Sequence, residues 1–158
     1  MVLEDASATI IEKDAASGKT LSGVEFKLAD SEANAKAGKF LRLVDSKVVA
    51  PSDSGYSSGQ DYALKSDDNG QLLFTGLKEG QTYYAVETKA LDGYQLDATP
   101  HAVKASYQTS QAAITVYNQK QPVLPQTGGP GSLIFILLGL ILLLLAVLGL
   151  RNHRITKQ

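Results

Sequence analysis

The sequence contains no cysteine and no tryptophan among its 158 residues. Without cysteine the chain cannot form a disulfide bond, so an exported domain made from it must be stabilised by a hydrophobic core. The chain also has only two histidines, His101 and His153, which lie far apart and have no ligand partners at metal-binding spacing. We therefore expect neither a metal nor another cofactor.

Residues 1–119 also lack the patterns that mark catalytic sites. They contain no cysteine nucleophile and a single histidine, and no glycine-rich phosphate loop follows a predicted strand. Residues 1–127 hold 12 Lys or Arg against 16 Asp or Glu, a net charge of −4. Nucleic-acid binding needs a basic surface, so this charge argues against that partner. We expect a protein that is not an enzyme.

The N-terminus MVLEDASATII lacks the basic region and apolar run of a secretory signal peptide. The apolar block and basic tail at residues 133–158 indicate an exported chain, and export requires a signal peptide. We therefore expect the sequence to be the C-terminal piece of a longer protein, or to have a misassigned start. Residues 1–7 are polar and are predicted to be disordered.

The C-terminal part combines an apolar block with a basic tail. Leu133 to Leu150 is 18 residues without a charge, which as a helix spans roughly 27 Å and matches the hydrocarbon thickness of a bilayer. The tail 151–158 contains no acidic residue, and its basic residues favour a cytoplasmic location for the tail, with the preceding domain outside. These basic residues are Arg151, Arg154 and Lys157. The linker 120–132 is rich in Pro and Gly and is expected to stay accessible to an enzyme.

The linker contains the sequence LPQTG, formed by Leu124, Pro125, Gln126, Thr127 and Gly128. Together with the apolar block and the basic tail it resembles the LPxTG cell-wall sorting signal of Gram-positive surface proteins. The resemblance implies that a sortase cysteine cleaves the Thr127–Gly128 bond and that the acyl group of Thr127 passes to a peptidoglycan amine or to a lysine of another pilin. The expected partners are a sortase, peptidoglycan or pilin subunits, and the membrane before cleavage. A chance LPQTG beside an ordinary membrane anchor is the alternative.

Residues 8–119 are predicted to form short strands separated by turns. Gly23 to Leu28 alternates apolar and polar residues, which is typical of a strand with one buried face. Asp68-Asn69-Gly70 favours a type I′ hairpin turn over a calcium loop, because the alternating ligand spacing and the closing glutamate are missing. Residues 30–38 favour a loop. The pattern predicts an all-β sandwich of about seven to nine strands and one C-terminal transmembrane helix.

Three segments of this domain, taken in order, are similar to the SpaA/CnaB-type domain of Gram-positive pilins and adhesin stalks. They are IIEKDAASGKTLSGVEFKL, DDNGQLLFTGLKEGQTYYAVETKALDGYQL and AITVYNQ. Within the second segment, YAVETKALDGY resembles the family's E-box, with Leu91 where proline is usual. The resemblance implies an immunoglobulin-like or prealbumin-like β-sandwich over residues 8–119.

Members of this family often cross-link their first and last strands by a Lys–Asn isopeptide bond, which buried carboxyl groups promote. The resemblance places the acid at Glu87 and the amide at Asn118, but the lysine position is occupied by Glu12. Lys13 is one residue away, and a shift of one residue sends a strand side chain to the opposite face. Either a bulge turns Lys13 inward and allows a Lys13–Asn118 bond, or Glu12 points toward Glu87 and the bond does not form.

Three functions are consistent with these features. The first is a wall-anchored pilin subunit or adhesin stalk, with any host or matrix ligand bound by domains upstream. The second is the anchoring end of a secreted enzyme whose catalytic domain lies upstream of Met1. The third is a ligand-binding domain that uses the long loop from Pro51 to Gln60.

Overall fold

The computed structural model describes residues 5–108, 112–123 and 130–155, with side chains for all of these except 130–132 and 151–155. The chain forms two compact units, Met1–Gln121 and Pro122–Gln158. The described part of the first unit contains ten strands, one short α-helix and one 3₁₀ turn. The strands are β1 (Ala6–Asp14), β2 (Glu25–Ala29), β3 (Arg42–Val44), β4 (Lys47–Val49), β5 (Gln60–Asp61), β6 (Ala63–Lys65), β7 (Gln71–Leu77), β8 (Thr82–Lys89), β9 (His101–Lys104) and β10 (Ala113–Asn118).

Two sheets form the body of the first unit. One has the strand order β10-β1-β7 and the other β6-β2-β8-β9. Alternating side chains of both sheets point into one hydrophobic core, to which Ile10 and Phe74 contribute from the first sheet and Phe26 and Tyr83 from the second. The predicted all-β sandwich is confirmed. β1 begins at Ala6, so the domain starts before residue 8, and the predicted disordered segment 1–7 includes two buried strand residues, Ala6 and Ser7.

The first and last strands, β1 and β10, run parallel to each other. Their register is continuous from Thr9 opposite Ala113 to Asp14 opposite Asn118. β1 also pairs with β7 in antiparallel fashion, and the register shift of that pairing lies between Ala6 and Ala8. The part of β1 that contains Glu12 and Lys13 is therefore a regular strand in which successive side chains alternate between faces.

The segment between β2 and β6 forms a third small sheet with the order β4-β3-β5. Its hairpin turn is formed by Asp45 and Ser46, both with positive φ, which is the conformation of a type I′ turn. The type I′ turn predicted at Asn69-Gly70 is wrong, because only Gly70 has a positive φ there. The loop predicted for 30–38 contains the helix α1 (Glu32–Lys36), whose N-cap Ser31 accepts a hydrogen bond from the Asn34 N–H.

The second unit contains the helix α2 (Pro130–Ile155). Leu133–Leu150 is long and apolar enough to cross a membrane, and none of this span is buried. It coincides with the predicted transmembrane segment. The helical backbone extends from the predicted linker, beginning at Pro130, into the predicted tail, ending at Ile155.

Candidate functional site

Glu12 lies in the core of the sandwich, where the resemblance had expected a lysine. Its side chain is completely buried, because the regular alternation of β1 turns Glu12 to the same face as Ile10 and Asp14. The turn before β7 holds this position: the Glu12 N–H donates to the Gly70 carbonyl at 2.7 Å. A Cβ atom on Gly70 would lie 2.6 Å from the Glu12 carbonyl oxygen, so only glycine permits this close approach.

Glu87 of β8 and Asn118 of β10 meet in the same part of the core. The Asn118 side-chain amide donates to Glu87 Oε1 at 2.9 Å, and both residues are about 1% exposed. The other oxygen of Glu87, Oε2, accepts a hydrogen bond from the backbone N–H of Asp97 at 3.2 Å. The two residues predicted as the acid and the amide are therefore in direct contact.

The electrostatics of this cluster favour a neutral acid. Burial, together with the smaller effects of the negative charges of Glu87 and Asp97, raises the pKa of Glu12 to about 8. Burial also raises the pKa of Glu87, although the hydrogen bonds from Asn118 and Asp97 oppose this shift. Asp97 in turn lies 2.9 Å from the ring nitrogen Nε2 of His101. Two carboxyl groups in one apolar environment cannot both ionise cheaply.

Three buried oxygen atoms of the cluster have no hydrogen-bond partner within the described residues: Glu12 Oε1, Glu12 Oε2 and Asn118 Oδ1. An acceptor buried without a donor costs about 1–3 kcal/mol, and more if it is charged. An ionised Glu12 can only accept hydrogen bonds, whereas a protonated Glu12 also has an O–H to donate. These three oxygen atoms therefore require a proton on Glu12, or another hydrogen-bond donor, in their vicinity.

Lys13 is not part of this cluster. It pairs with Tyr117 across the β1–β10 ladder, and its half-buried side chain belongs to the opposite face of the strand from Glu12. The bulge that would turn Lys13 inward is absent, since the β1–β10 register is unbroken from Thr9 to Asp14. The structure thus brings Glu87 and Asn118 of the predicted cross-link into contact. The buried Glu12 is close enough for the charge of Glu87 to raise its pKa, whereas Lys13 belongs to the other face of β1.

A second set of contacts, which was not predicted from the sequence, lies at the C-terminal end of β10. The Tyr94 hydroxyl donates to Asp14 Oδ2 at 2.6 Å, and this bond, with those from Ser17, lowers the pKa of Asp14 well below its usual range. The backbone that leaves β10 pairs with the segment after β8: Gln95 N–H donates to Gln119 O and Gln121 N–H to Gly93 O, both at 2.8 Å. We call these contacts, which join residues 93–95 to residues 119–121 and to Asp14, the exit clip.

The side chains of the loop from Pro51 to Gln60, which was predicted to bind a ligand, contact neighbouring residues of the same domain. It contains the 3₁₀ turn Tyr56–Ser58, and the Tyr56 hydroxyl donates to the Phe40 carbonyl at 2.8 Å. The Arg42 guanidinium lies over the Tyr56 ring at 4.7 Å from its centre and contacts Asp61 at 3.3 Å. Tyr56 therefore packs against Phe40 and Arg42, and its hydroxyl is already used in a hydrogen bond within the domain.

The predicted sorting residues Leu124, Pro125, Gln126, Thr127 and Gly128 lie outside the described residues, as does Lys157. The backbone of Arg151 and Arg154 continues α2. The role of these residues stays a prediction that rests on the sequence and on the comparisons below.

Two family models match the chain. The prealbumin-like fold domain SpaA matches residues 6–120, and the LPXTG cell wall anchor motif matches residues 117–157. Both resemblances inferred from the sequence are confirmed. No curated protein sequence matches the chain.

Among solved structures, the chain is similar to two pilus proteins. It is 30% identical to the group B streptococcus pilus 2b backbone protein, with a TM-score of 0.57, and the match covers 77% of this chain and 43% of that one. It is 25% identical to the shaft pilin SpaA from Lactobacillus rhamnosus GG, with a TM-score of 0.56, covering 77% and 49%. The chain thus spans about half the length of these relatives. It covers 98% of the separate C-terminal domain of that shaft pilin, at 24% identity and a TM-score of 0.55.

Proposed function

This chain belongs to the SpaA family of prealbumin-like domains, and from this premise we propose that it is the wall-anchoring end of a pilin subunit, linked by a sortase through Thr127. One observation carries the proposal: a SpaA domain and an LPXTG anchor follow each other in a single chain. A chain with this anchor is a cell-wall-anchored surface protein that passes through a transient membrane-spanning stage. The acceptor of the Thr127 acyl group is a peptidoglycan amine or a lysine of another pilin subunit.

The role we propose for the domain is mechanical rather than catalytic. The side chains of Glu12, Glu87 and Asn118 are almost completely buried, so a substrate could not reach them. The solved relatives are a pilus backbone protein and a shaft pilin, which favours this role over the anchoring end of a secreted enzyme. A ligand-binding role would have to use a surface other than Tyr56, whose hydroxyl is already bonded to Phe40.

The strand order supports a load-bearing role. Because β1 and β10 are parallel, the N-terminal end of β1 and the C-terminal end of β10 lie at opposite ends of one ladder. Force applied between these two ends pulls the strands past each other and loads all of their hydrogen bonds together. The ladder must then break as a unit instead of opening one bond at a time.

The exit clip extends this support beyond the ladder. Force that enters from residue 121 first meets the hydrogen bonds to Gly93 and Gln95, which follow β8 of the other sheet. The bond from Tyr94 to Asp14 connects the same point to the end of β1. We propose that the exit clip distributes load over both sheets before it reaches β10.

Tyr94→Phe tests the exit clip. Removing the hydroxyl removes the 2.6 Å bond to Asp14, so we expect a lower unfolding force when the full chain, anchored in a supported bilayer, is pulled from its N-terminus. The low pKa of Asp14 stabilises the fold above the ordinary aspartate pKa, and this contribution is lost as pH falls through the folded-state value. The difference between variant and wild type should therefore shrink in acid.

Tyr117→Phe is the matched control for this experiment, because Tyr117 is exposed on the outer face of β10. It should unfold at the wild-type force. Equal unfolding forces for Tyr94→Phe and wild type would show that the Tyr94–Asp14 bond of the exit clip carries no load.

We also propose that the natural chain forms no Lys13–Asn118 isopeptide bond. Lys13 belongs to the opposite face of β1 from Glu12, and no amine of the described residues forms an ion pair with Glu12 or Glu87. The amide of Asn118 is instead held by Glu87. The first and last strands are then joined only by non-covalent contacts.

Deleting Arg151–Gln158 tests the anchoring step. The basic residues of this tail retain the chain at the membrane until cleavage, so their loss should move most of the protein from the wall fraction to the culture medium. Cell fractionation and immunoblotting measure this distribution. A variant in which Arg151 and Arg154 are replaced by lysine keeps the charge and should remain wall-linked. Wild-type wall attachment after the deletion would contradict the proposed anchoring.

A further inference from the structure

The cluster of Glu12, Glu87 and Asn118 is a buried polar site that the anchoring function does not use. It joins three strands from both sheets, because Glu12 lies on β1, Asn118 on β10 and Glu87 on β8. We infer that this cluster is a proton-dependent fastening, in which one carboxyl group stays protonated and its hydrogen holds β1, β8 and β10 together without a covalent bond.

The numbers of donors and acceptors require that proton. If both acids were ionised, the cluster would contain five acceptor oxygens, two on each carboxylate and one on Asn118. The donors that reach these oxygens within the described residues are the Asn118 amide and the Asp97 N–H, and both bind Glu87. The oxygens of Glu12 and the Oδ1 of Asn118 then have none. One proton on Glu12 supplies a donor where three acceptors lack one.

The charges around the cluster also favour a protonated carboxyl group. The titratable groups that face it are Glu12 on β1, Glu87 on β8, Asp97 in the following loop and His101 on β9, and Asp97 and His101 bind each other. Asp14, on the same face of β1, is occupied by Tyr94 and lies 3.9 Å from Lys120. Three carboxyl groups therefore face one histidine, and a shared proton relieves their repulsion.

The consequence is a stability that decreases as pH rises. The pKa of Glu12 is about 8 in the folded chain against an ordinary 4.5. As pH rises, the unfolded chain therefore releases this proton at a lower pH than the folded chain does. The stabilisation is complete below pH 4.5 and is lost progressively as pH rises through the folded-state value. The fastening is thus strongest in acidic surroundings, weaker at neutral pH and weakest in alkaline surroundings.

The test is the pH dependence of unfolding of the full chain in detergent micelles, followed by tyrosine fluorescence in denaturant. Between about pH 5 and pH 7.5 we expect the unfolding equilibrium constant of the wild type to rise by up to about tenfold per pH unit from this proton alone. Glu12→Gln keeps the size of the side chain and brings its own N–H donors, so the dependence should largely disappear and the variant should be the more stable one at the upper end of the range.

Glu32→Gln is the control, because Glu32 is exposed on α1 and forms its ion pair with Lys36 of the same helix. It should retain the wild-type pH dependence. His101 stays in place in Glu12→Gln, so a wild-type slope in that variant would assign the dependence to His101 or elsewhere and overturn the proposal. A flat wild-type profile would do the same.

A second measurement covers the case in which Glu12→Gln does not fold. The ¹³C resonance of the Glu12 carboxyl group in the wild-type chain reports its protonation directly. We expect a midpoint well above the ordinary glutamate value, and a midpoint at the ordinary value would overturn the fastening. Neither outcome depends on whether a sortase processes Thr127.

Discussion

Thr127→Ala is expected to abolish covalent attachment of the chain to the cell wall. The proposed reaction breaks the Thr127–Gly128 amide bond, releases Gly128 as a free amine and forms a thioester between the Thr127 carbonyl carbon and the sortase cysteine. An acceptor amine then attacks this thioester, forms the final amide bond and releases the cysteine. An enzyme site built around a substrate hydroxyl rejects an analogue that lacks it, so we expect wall-linked protein to fall by at least about tenfold. The amount released by a muramidase from purified walls measures the effect.

Gln126→Ala is the matched control for this variant, since the LPXTG motif leaves that position open. It should be linked to the wall at nearly the wild-type level. With Thr127→Ala, the uncleaved chain should accumulate in the membrane fraction with its apolar span Leu133–Leu150 still attached. Undiminished wall linkage of Thr127→Ala would show that the sortase does not require the Thr127 hydroxyl and would contradict the proposed recognition of the LPQTG motif.

Glu12→Lys is expected to create the covalent bond that the natural chain lacks. The substitution places an amine at a fully buried position whose electrostatics are affected by Glu87, the residue that binds the Asn118 amide, and burial there lowers the pKa of a lysine. The neutral amine attacks Cγ of Asn118, Glu87 carries its proton to the departing amide nitrogen, and one ammonia leaves. The new bond joins Nζ to Cγ across β1 and β10.

The bond has two measurable results. The intact mass of the variant should be lower than its sequence mass by one ammonia. A cross-link that closes a loop of about a hundred residues should stabilise the fold by roughly 4–5 kcal/mol, on the loop-entropy argument used for disulfides. Wild type should show the full sequence mass, because Lys13 belongs to the other face.

The control is the same substitution combined with Glu87→Ala, which removes the proton carrier but leaves the amine and the amide in place. This double variant should keep the full mass. A folded Glu12→Lys chain that also keeps the full mass would show that Glu87 and Asn118 are not arranged for the reaction, despite their 2.9 Å contact.

The sequence could predict the features that depend on local pattern. The apolar block from Leu133 to Leu150 predicted the C-terminal helix. The alternation of a regular strand predicted that Glu12 points toward the core, as it does. The resemblance to the SpaA/CnaB family, through the E-box and the last strand, implied that Glu87 and Asn118 lie together, and the two side chains are in direct contact. These inferences succeed because each depends on side-chain parity or on a contiguous motif.

The remaining features depend on contacts between distant segments. The Tyr94–Asp14 bond joins residues 80 positions apart, and no local pattern shows that these two side chains meet. The choice between Lys13 and Glu12 required knowing that β1 has no bulge at that point. One missed element did leave a signal: Ser31 as N-cap, with Glu32 and Lys36 spaced as a helical ion pair, marks the helix α1.

The most direct measurement of the proposed function is the mass of the C-terminal peptide isolated from enzymatically digested walls of the producing bacterium. We predict a peptide that ends at Thr127 and carries, on the carbonyl of that residue, a peptidoglycan fragment or a lysine-containing pilin peptide. A wall-associated chain that instead retains residues 128–158 and ends at Gln158 would contradict sortase anchoring.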